Sequence, residues 1–206
     1  LTFFGKGSGI YPSEITESKS HINFNLNYSN ASLNVNLSMI GLHQVDNALA
    51  AAACAIALGI ESDVIKKGLE NTLPEKGRLE LIELVNFKIL DDSYNANPES
   101  MKAAIDCIGN VSGEKVLVLG SMGELGIDSK KLHQEIGDYV RQSKIDHLLT
   151  IGVDAKEYQG QQFEDINSIF KSIQTNHQGS TILIKGSRMM RLNELVDNLV
   201  NSENSS

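Results

Sequence analysis

Hydrophobic and polar residues alternate strictly near the start of the chain. Ile22, Phe24, Leu26 and Tyr28 fall on one side, and Asn23, Asn25 and Asn27 on the other. After Ser29-Asn30 the alternation resumes with Leu33, Val35 and Leu37 against Asn34, Asn36 and Ser38. A period of two predicts a hairpin with one buried and one wet face, so residues 1 to about 40 read as β. Gly41 ends this region. From Leu42 the period lengthens: Val45, Leu49, Ala52, Ala53 and Ile56 share one helical face, which predicts a helix to about Leu58 with Gly59 as its stop. A second helix is expected from Ser62 to about Glu70. Residues 71–77 (Asn-Thr-Leu-Pro-Glu-Lys-Gly) read as a linker, which divides the chain into regions 1–76 and 77–200.

Beyond Arg78 strands and helices alternate. The expected strands are Leu79–Val85, Phe87–Leu90, Val116–Leu119, His147–Ile151 and Thr181–Ile184. The last three are unbroken apolar runs, as in parallel strands covered on both faces. Between and after them lie four helical stripes. These are Met101/Ala104/Ile105/Ile108, Leu132/Ile136/Tyr139/Val140, Ile166/Ile169/Phe170/Ile173 and Leu192/Leu195/Val196/Leu199/Val200. This succession predicts an α/β class: a Rossmann-like three-layer domain with a mostly parallel sheet, preceded by the hairpin and its helices. Residues 201–206 are polar and are expected to fray.

Composition narrows the function classes. The chain has 206 residues, 41% hydrophobic and 21% charged, with a formal net charge of -8. The acidic balance lacks a basic footprint and argues against a nucleic-acid partner. No apolar run is long enough to span a bilayer, and no signal peptide is visible. Cys54 and Cys107 fit no metal or CxxC spacing and are expected to be small buried hydrophobes. The chain opens at Leu1 rather than Met, which suggests a fragment of something longer.

Three strand-end junctions are expected to share one edge of the sheet. The first, Asp91-Asp92-Ser93-Tyr94-Asn95-Ala96-Asn97-Pro98, packs carboxylates, a phenol and carboxamides into a loop that ends in a helix start. Asn97 is the expected N-cap and Pro98 the first helical residue. The second is Gly120–Gly126, whose GxxGxxG spacing departs from the GxGxxG of dinucleotide sites and favours a tight structural turn over NAD binding. The third, Lys185-Gly186-Ser187-Arg188, brings two cations to an expected helix N-terminus, a credible carboxylate or phosphate site or else a capped turn. Asn47, four residues after His43 on the Ala-rich helix, has a carboxamide that could meet an adenine edge or merely cap. Arg78 could reach a ligand or a surface ion pair. His133 and His147 have no partner at metal spacing and read as structural. No GxxxxGK[ST] is present, so the chain has no P-loop of its own.

Taken together, the segments 41–52 (Gly-Leu-His-Gln-Val-Asp-Asn-Ala-Leu-Ala-Ala-Ala), Gly77-Arg78-Leu79-Glu80, 91–101, 120–126, 132–137 and 185–188 resemble the Mur ligases of peptidoglycan synthesis. Two departures stand out: Gln44 where the family usually has Asn, and Ser121 where it usually has Asp. The loop Asp-Asp-Ser-Tyr-Asn-Ala-Asn-Pro looks like that of the member adding D-alanyl-D-alanine to UDP-MurNAc-tripeptide. Folylpolyglutamate synthetase shares the architecture but not this loop. The resemblance implies a cytoplasmic, monomeric, ATP- and Mg2+-dependent amide ligase working through an acyl phosphate. Residues 1–76 would be the end of its central ATPase domain and 77–200 its C-terminal domain, with the P-loop upstream. It further implies that Asn47, Arg78, Asp92 and Tyr94 bind ATP. Asn95 and Asn97 would line the substrate cleft, and Lys185, Ser187 and Arg188 would meet an anionic group of the peptide substrate. Without the upstream part, the chain is expected to be inactive alone; the alternative is a nucleotide- or dipeptide-binding module.

Overall fold

A computed structural model describes residues 9–18 and 21–204. The chain divides into two compact units, Leu1–Pro74 and Glu75–Ser206.

The first unit is built on a three-stranded antiparallel sheet in the order β1 (Ile10–Glu17), β2 (Ile22–Tyr28), β3 (Ala31–Leu37). The β2–β3 hairpin sets Ile22 opposite Leu37, Phe24 opposite Val35 and Leu26 opposite Leu33. These rows bury against Val45, Leu49, Ala52 and Ala53 of α1 (His43–Ala57) and Ile65 and Leu69 of α2 (Ser62–Glu70). On the other face the asparagines bond to one another. Asn34 Nδ2 donates to Asn23 Oδ1 and to Asn25 Oδ1, both at 3.0 Å. The alternation thus supplies an apolar face for the helices and a self-satisfied polar face for water. Strand β1 adds to the expected hairpin. Its sequence hides it, because only Ile10 is buried and Pro12 and a bulge between Ser13 and Thr16 break the period. An edge strand tolerates both. Cys54, expected inside, is exposed on α1, and Cys107 is half-buried. The narrow apolar face of α1 is filled by other residues.

The second unit is a six-stranded sheet ordered β4-β5-β9-β6-β7-β8, with every pair parallel except β4–β5. Its strands are β4 (Glu80–Glu83), β5 (Lys88–Asp92), β6 (Lys115–Gly120), β7 (His147–Ile151), β8 (Gln161–Phe163) and β9 (Thr181–Lys185). Its helices are α3 (Pro98–Gly109), α4 (Ser129–Gln142), α5 (Ile166–Asn176) and α6 (Asn193–Asn204). Ile89, Ile182 and Val116 lie side by side across three strands and pack, with Val118, Leu149 and Ile184, against Ile169 and Ile173 of α5 and Leu195, Val196 and Leu199 of α6. The intervening row, Leu90, Leu183 and Leu117, points to the opposite face, where α3 and α4 bury Met101, Ala104, Ile105, Ile108, Ile136 and Val140. This is the expected mixed α/β architecture with a mostly parallel sheet.

Three local differences matter. Strand β5 runs through Asp91 and Asp92, so the polar loop begins at Ser93. Strand β8, with two glutamines in three residues, carries no apolar signal. Helix α6 continues to Asn204 rather than fraying from 201, because Glu203 accepts hydrogen bonds from the backbone N–H groups of Val85 (2.8 Å) and Asn86 (3.1 Å). Residues 205 and 206 lie outside the described residues.

Candidate functional site

The last strand, β9, inserts between β5 and β6. The C-terminal ends of these three strands are therefore neighbours, and the strand order reverses there. Such a reversal of strand order is where open α/β sheets hold ligands. The loops are 93–97, 186–187 and 121–126, so the three junctions singled out in the sequence do share one edge.

Asp92 and Lys185 face each other in register. Lys185 Nζ donates to Asp92 Oδ2 at 2.6 Å and to the Asn95 carbonyl at 3.0 Å. The other carboxylate oxygen of Asp92 accepts from Leu79 N at 3.2 Å. The lysine side chain is only 2% exposed and Asp92 13%. Lys185, expected to meet an anion of the substrate, is instead turned inward and neutralised by Asp92. A cation at the end of an apolar strand, covered on both faces, can be buried only where a partner meets it. The expected helix N-terminus at 185–188 is also absent: Arg188–Met190 form a single 3-10 turn and α6 starts at Asn193. Ser187 is buried, with its backbone N–H donating to Ser121 O at 3.0 Å and its Oγ without a hydrogen-bond partner.

What the edge presents outward is an aromatic ring with two cations against it. Tyr94 is 38% exposed, with the Arg78 guanidinium 4.4 Å and the Arg188 guanidinium 5.5 Å from its ring centroid. Tyr94 is held there by its backbone N–H, which donates to Gly77 O at 3.0 Å. Gly77 has φ +77°, and a Cβ on it would lie 3.2 Å from Tyr94 N, so glycine permits this docking. Arg78 also pairs with Glu75 at 3.2 Å. Asn95 is exposed, and its Oδ1 accepts from Ala96 N at 2.9 Å. Asn97 is the N-cap of α3, as its spacing predicts. Its Oδ1 accepts from Ser100 N (2.8 Å), while its own N–H donates to Ser100 Oγ (3.1 Å). The cap uses the carboxamide oxygen and leaves the amide nitrogen on an exposed side chain. Asp91 is fully buried; its Oδ1 accepts from Ser93 N at 3.0 Å, and its Oδ2 has no hydrogen-bond partner.

The Gly120–Gly126 loop is braced from beneath. Met122 N donates to His133 Nε2 at 2.9 Å, and His133 Nδ1 lies 2.7 Å from Ser129 O, which defines a neutral ring protonated on Nδ1. Ser121 Oγ accepts from Ala155 N at 3.1 Å. The buried Tyr158 hydroxyl donates to Gly120 O at 3.1 Å, and burial raises its pKa. A Cβ on Gly186 would fall 3.0 Å from Gly120 Cα, so these two loops touch backbone to backbone.

The structure gathers Arg78, Asp92, Tyr94, Asn95, Asn97, Lys185, Ser187 and Arg188 around one sheet edge. Asn47 belongs to the first unit, exposed on α1, where its Nδ2 donates to Gln44 Oε1 at 2.9 Å. A group the sequence did not reveal lies where β6, β7 and β9 begin: Glu114, His147 and His177. The sequence reads His147 as structural, and Glu114 and His177 carry no local motif.

The second unit is a Rossmann-type α/β domain whose strand-order reversal carries an exposed Arg–Tyr–Arg group. Residues 77–188, more than half the chain, match the family model described as "Mur ligase, glutamate ligase domain", and the chain belongs to the Mur ligase family. It is 36% identical over 204 residues to the UDP-N-acetylmuramoyl-tripeptide–D-alanyl-D-alanine ligase of Buchnera aphidicola subsp. Baizongia pistaciae, covering 95% of this chain and 44% of that protein. The Escherichia coli K12 enzyme of the same name is 36% identical over 198 residues, covering 89% and 44%. A crystal structure of MurF from Acinetobacter baumannii superposes with a TM-score of 0.88 at 35% identity, covering 96% of this chain and 46% of that one. The chain thus spans less than half the length of the relatives it matches.

Proposed function

We propose that this chain is the C-terminal portion of an ATP-dependent ligase that joins D-alanyl-D-alanine to UDP-MurNAc-tripeptide in peptidoglycan synthesis, acting as a monomer in the cytoplasm. The observation that carries this reading is similarity over 95% of the chain to a ligase named for that reaction. No helix among the described residues is long and apolar enough to cross a membrane. On this reading residues 1–76 close the central ATPase domain and 77–200 form the C-terminal domain.

In the proposed reaction ATP phosphorylates the terminal carboxylate of the tripeptide and becomes ADP. The amine of D-alanyl-D-alanine then attacks the acyl phosphate, forming the amide and releasing phosphate and a proton. A carboxylate is a poor electrophile, so activation precedes attack. The second unit's share is binding and orientation. Arg78 and Arg188 offer two exposed guanidiniums to phosphate or carboxylate groups, and Tyr94 adds an aromatic ring beside them. Asn95 and Asn97 offer carboxamides to the peptide at the same edge. Asp92 and Lys185 act as a positioning pair that fixes the loop, rather than as ligand contacts. Asn47 would meet the adenine from the first unit. Asp92 is not offered to magnesium, since its two oxygens are engaged by Leu79 N and Lys185; the ion's ligands are assigned to the upstream part.

The test uses a chain extended upstream to the length of its relatives. With ATP and UDP-MurNAc-tripeptide, phosphate release is expected to require D-alanyl-D-alanine, and the 206-residue chain alone is expected to release none. Phosphate release that is indifferent to D-alanyl-D-alanine, or that answers to D-glutamate instead, overturns the proposal.

A further inference from the structure

At the sheet edge opposite the Arg–Tyr–Arg group, three side chains from separate parts of the sequence converge. Glu114 immediately precedes β6, His147 opens β7 and His177 lies just before β9. These strands are neighbours in the order β9-β6-β7. His147 Nε2 lies 3.1 Å and His177 Nδ1 3.2 Å from the same oxygen, Glu114 Oε1. One ligand atom from each residue falls within 4.8 Å of the others, and the two rings stand 4.7 Å apart, tilted by 55°.

We propose that Glu114, His147 and His177 form a binding site for a divalent late first-row transition metal, with zinc as the reference ion. Two imidazoles and one carboxylate are a donor set that suits zinc, cobalt, nickel or copper rather than magnesium, which prefers oxygen ligands. With metal–ligand bonds of about 2.0–2.2 Å, tetrahedral ligands stand about 3.4 Å apart. The two nitrogen–oxygen separations are already near that value and all three ligand atoms lie within 4.8 Å of one another, so metal entry closes the remaining gap and displaces a ring proton wherever one faces Glu114.

The backbone under the three ligands is fixed before any ion arrives. Thr181 N donates to Glu114 O at 2.9 Å. His177 N donates to Ile173 O at 3.0 Å, and its carbonyl accepts from Ser180 Oγ at 2.6 Å. Beside His147, Asp146 N donates to Lys115 O at 3.1 Å, and Lys115 N donates to Asp146 Oδ2 at 2.8 Å. His177 is buried while the His147 and Glu114 side chains are 47% and 37% exposed. The site therefore has a floor and an open mouth, with room for water as a fourth ligand. It lies at the N-terminal ends of the strands and does not depend on the ligase reading.

Titration of the untagged 206-residue chain with zinc, followed by calorimetry, and with cobalt, followed by its visible ligand-field bands, tests the site. The expected result is one equivalent bound, with a cobalt spectrum of low coordination number and shifted imidazole NMR resonances of His147 and His177. Affinity is expected to fall at least about tenfold in His147→Ala and in Glu114→Gln. Both side chains are partly exposed, so these variants keep their fold, which circular dichroism checks; His177→Gln serves as a third variant. Absence of saturable one-to-one binding, or zinc binding that survives His147→Ala and Glu114→Gln unchanged, overturns the proposal.

Discussion

Lys185 and Asp92 stand directly opposite one another on the parallel strands β9 and β5, joined by a 2.6 Å contact between Nζ and Oδ2. The contact joins the two strands at the point where both release their loops. The same ammonium reaches the Asn95 carbonyl, so one buried cation sets both the strand end and the course of the loop. Removing either partner strands the other charge in the interior. Lys185→Met and Asp92→Leu are each expected to cost about 3–5 kcal/mol, whereas the double variant costs less than the sum. Urea denaturation of the four proteins measures the coupling. Additive losses would show that the pair does not act as a unit.

Arg78, Tyr94 and Arg188 make the opposite prediction. All three are exposed, so their contacts contribute little to folding. Tyr94→Ala and Arg78→Ala are expected to lower stability by about 1 kcal/mol or less. In the upstream-extended enzyme, each is expected to raise KM for ATP about tenfold, the loss of one charge-assisted contact or its stacking surface. Steady-state kinetics with ATP varied at saturating tripeptide and dipeptide provides the check. An unchanged KM would assign these residues to the surface alone.

The residues that revealed themselves in the sequence have local causes. Ile22 to Tyr28 alternates because one face must be dry. The β6, β7 and β9 runs are continuous because both faces are. The Asn97-Pro98 cap is a local signal and appears where expected. By contrast, Asp91 and Asp92 look like loop residues and are strand residues, because their partners come from β4 and β9. Lys185 reads as a surface cation because the carboxylate that permits its burial lies far away in sequence. The same holds for Glu114, His147 and His177, which only the strand order brings together. Local periodicity carried the elements, while pairings set by topology had no local trace.

The cap of α3 separates folding from ligand contact at one residue. Asn97 Oδ1 satisfies Ser100 N, a role that aspartate can fill and alanine cannot. Asn97→Ala is expected to lose about 1 kcal/mol of stability, and Asn97→Asp little. If the Nδ2 donors also meet substrate, Asn97→Asp restores thermal stability but not ligase activity. Recovery of both would confine Asn97 to the cap.

At the N-terminus of α5, Asp165 Oδ1 accepts from Ser168 N at 2.7 Å, and this hydrogen bond lowers its pKa from the ordinary 3.8. The folded state therefore holds the carboxylate ionised to lower pH than the unfolded chain does. The resulting stabilisation is fully present above the unfolded value and is lost as pH falls through the folded one. Asp165→Asn keeps a capping oxygen but does not titrate. Its stability is expected to fall less steeply than that of the parent between about pH 5 and pH 2, where the aspartate's contribution disappears. Urea midpoints measured across that range decide the matter, and parallel curves for the two proteins would rule out a pH-dependent cap at Asp165.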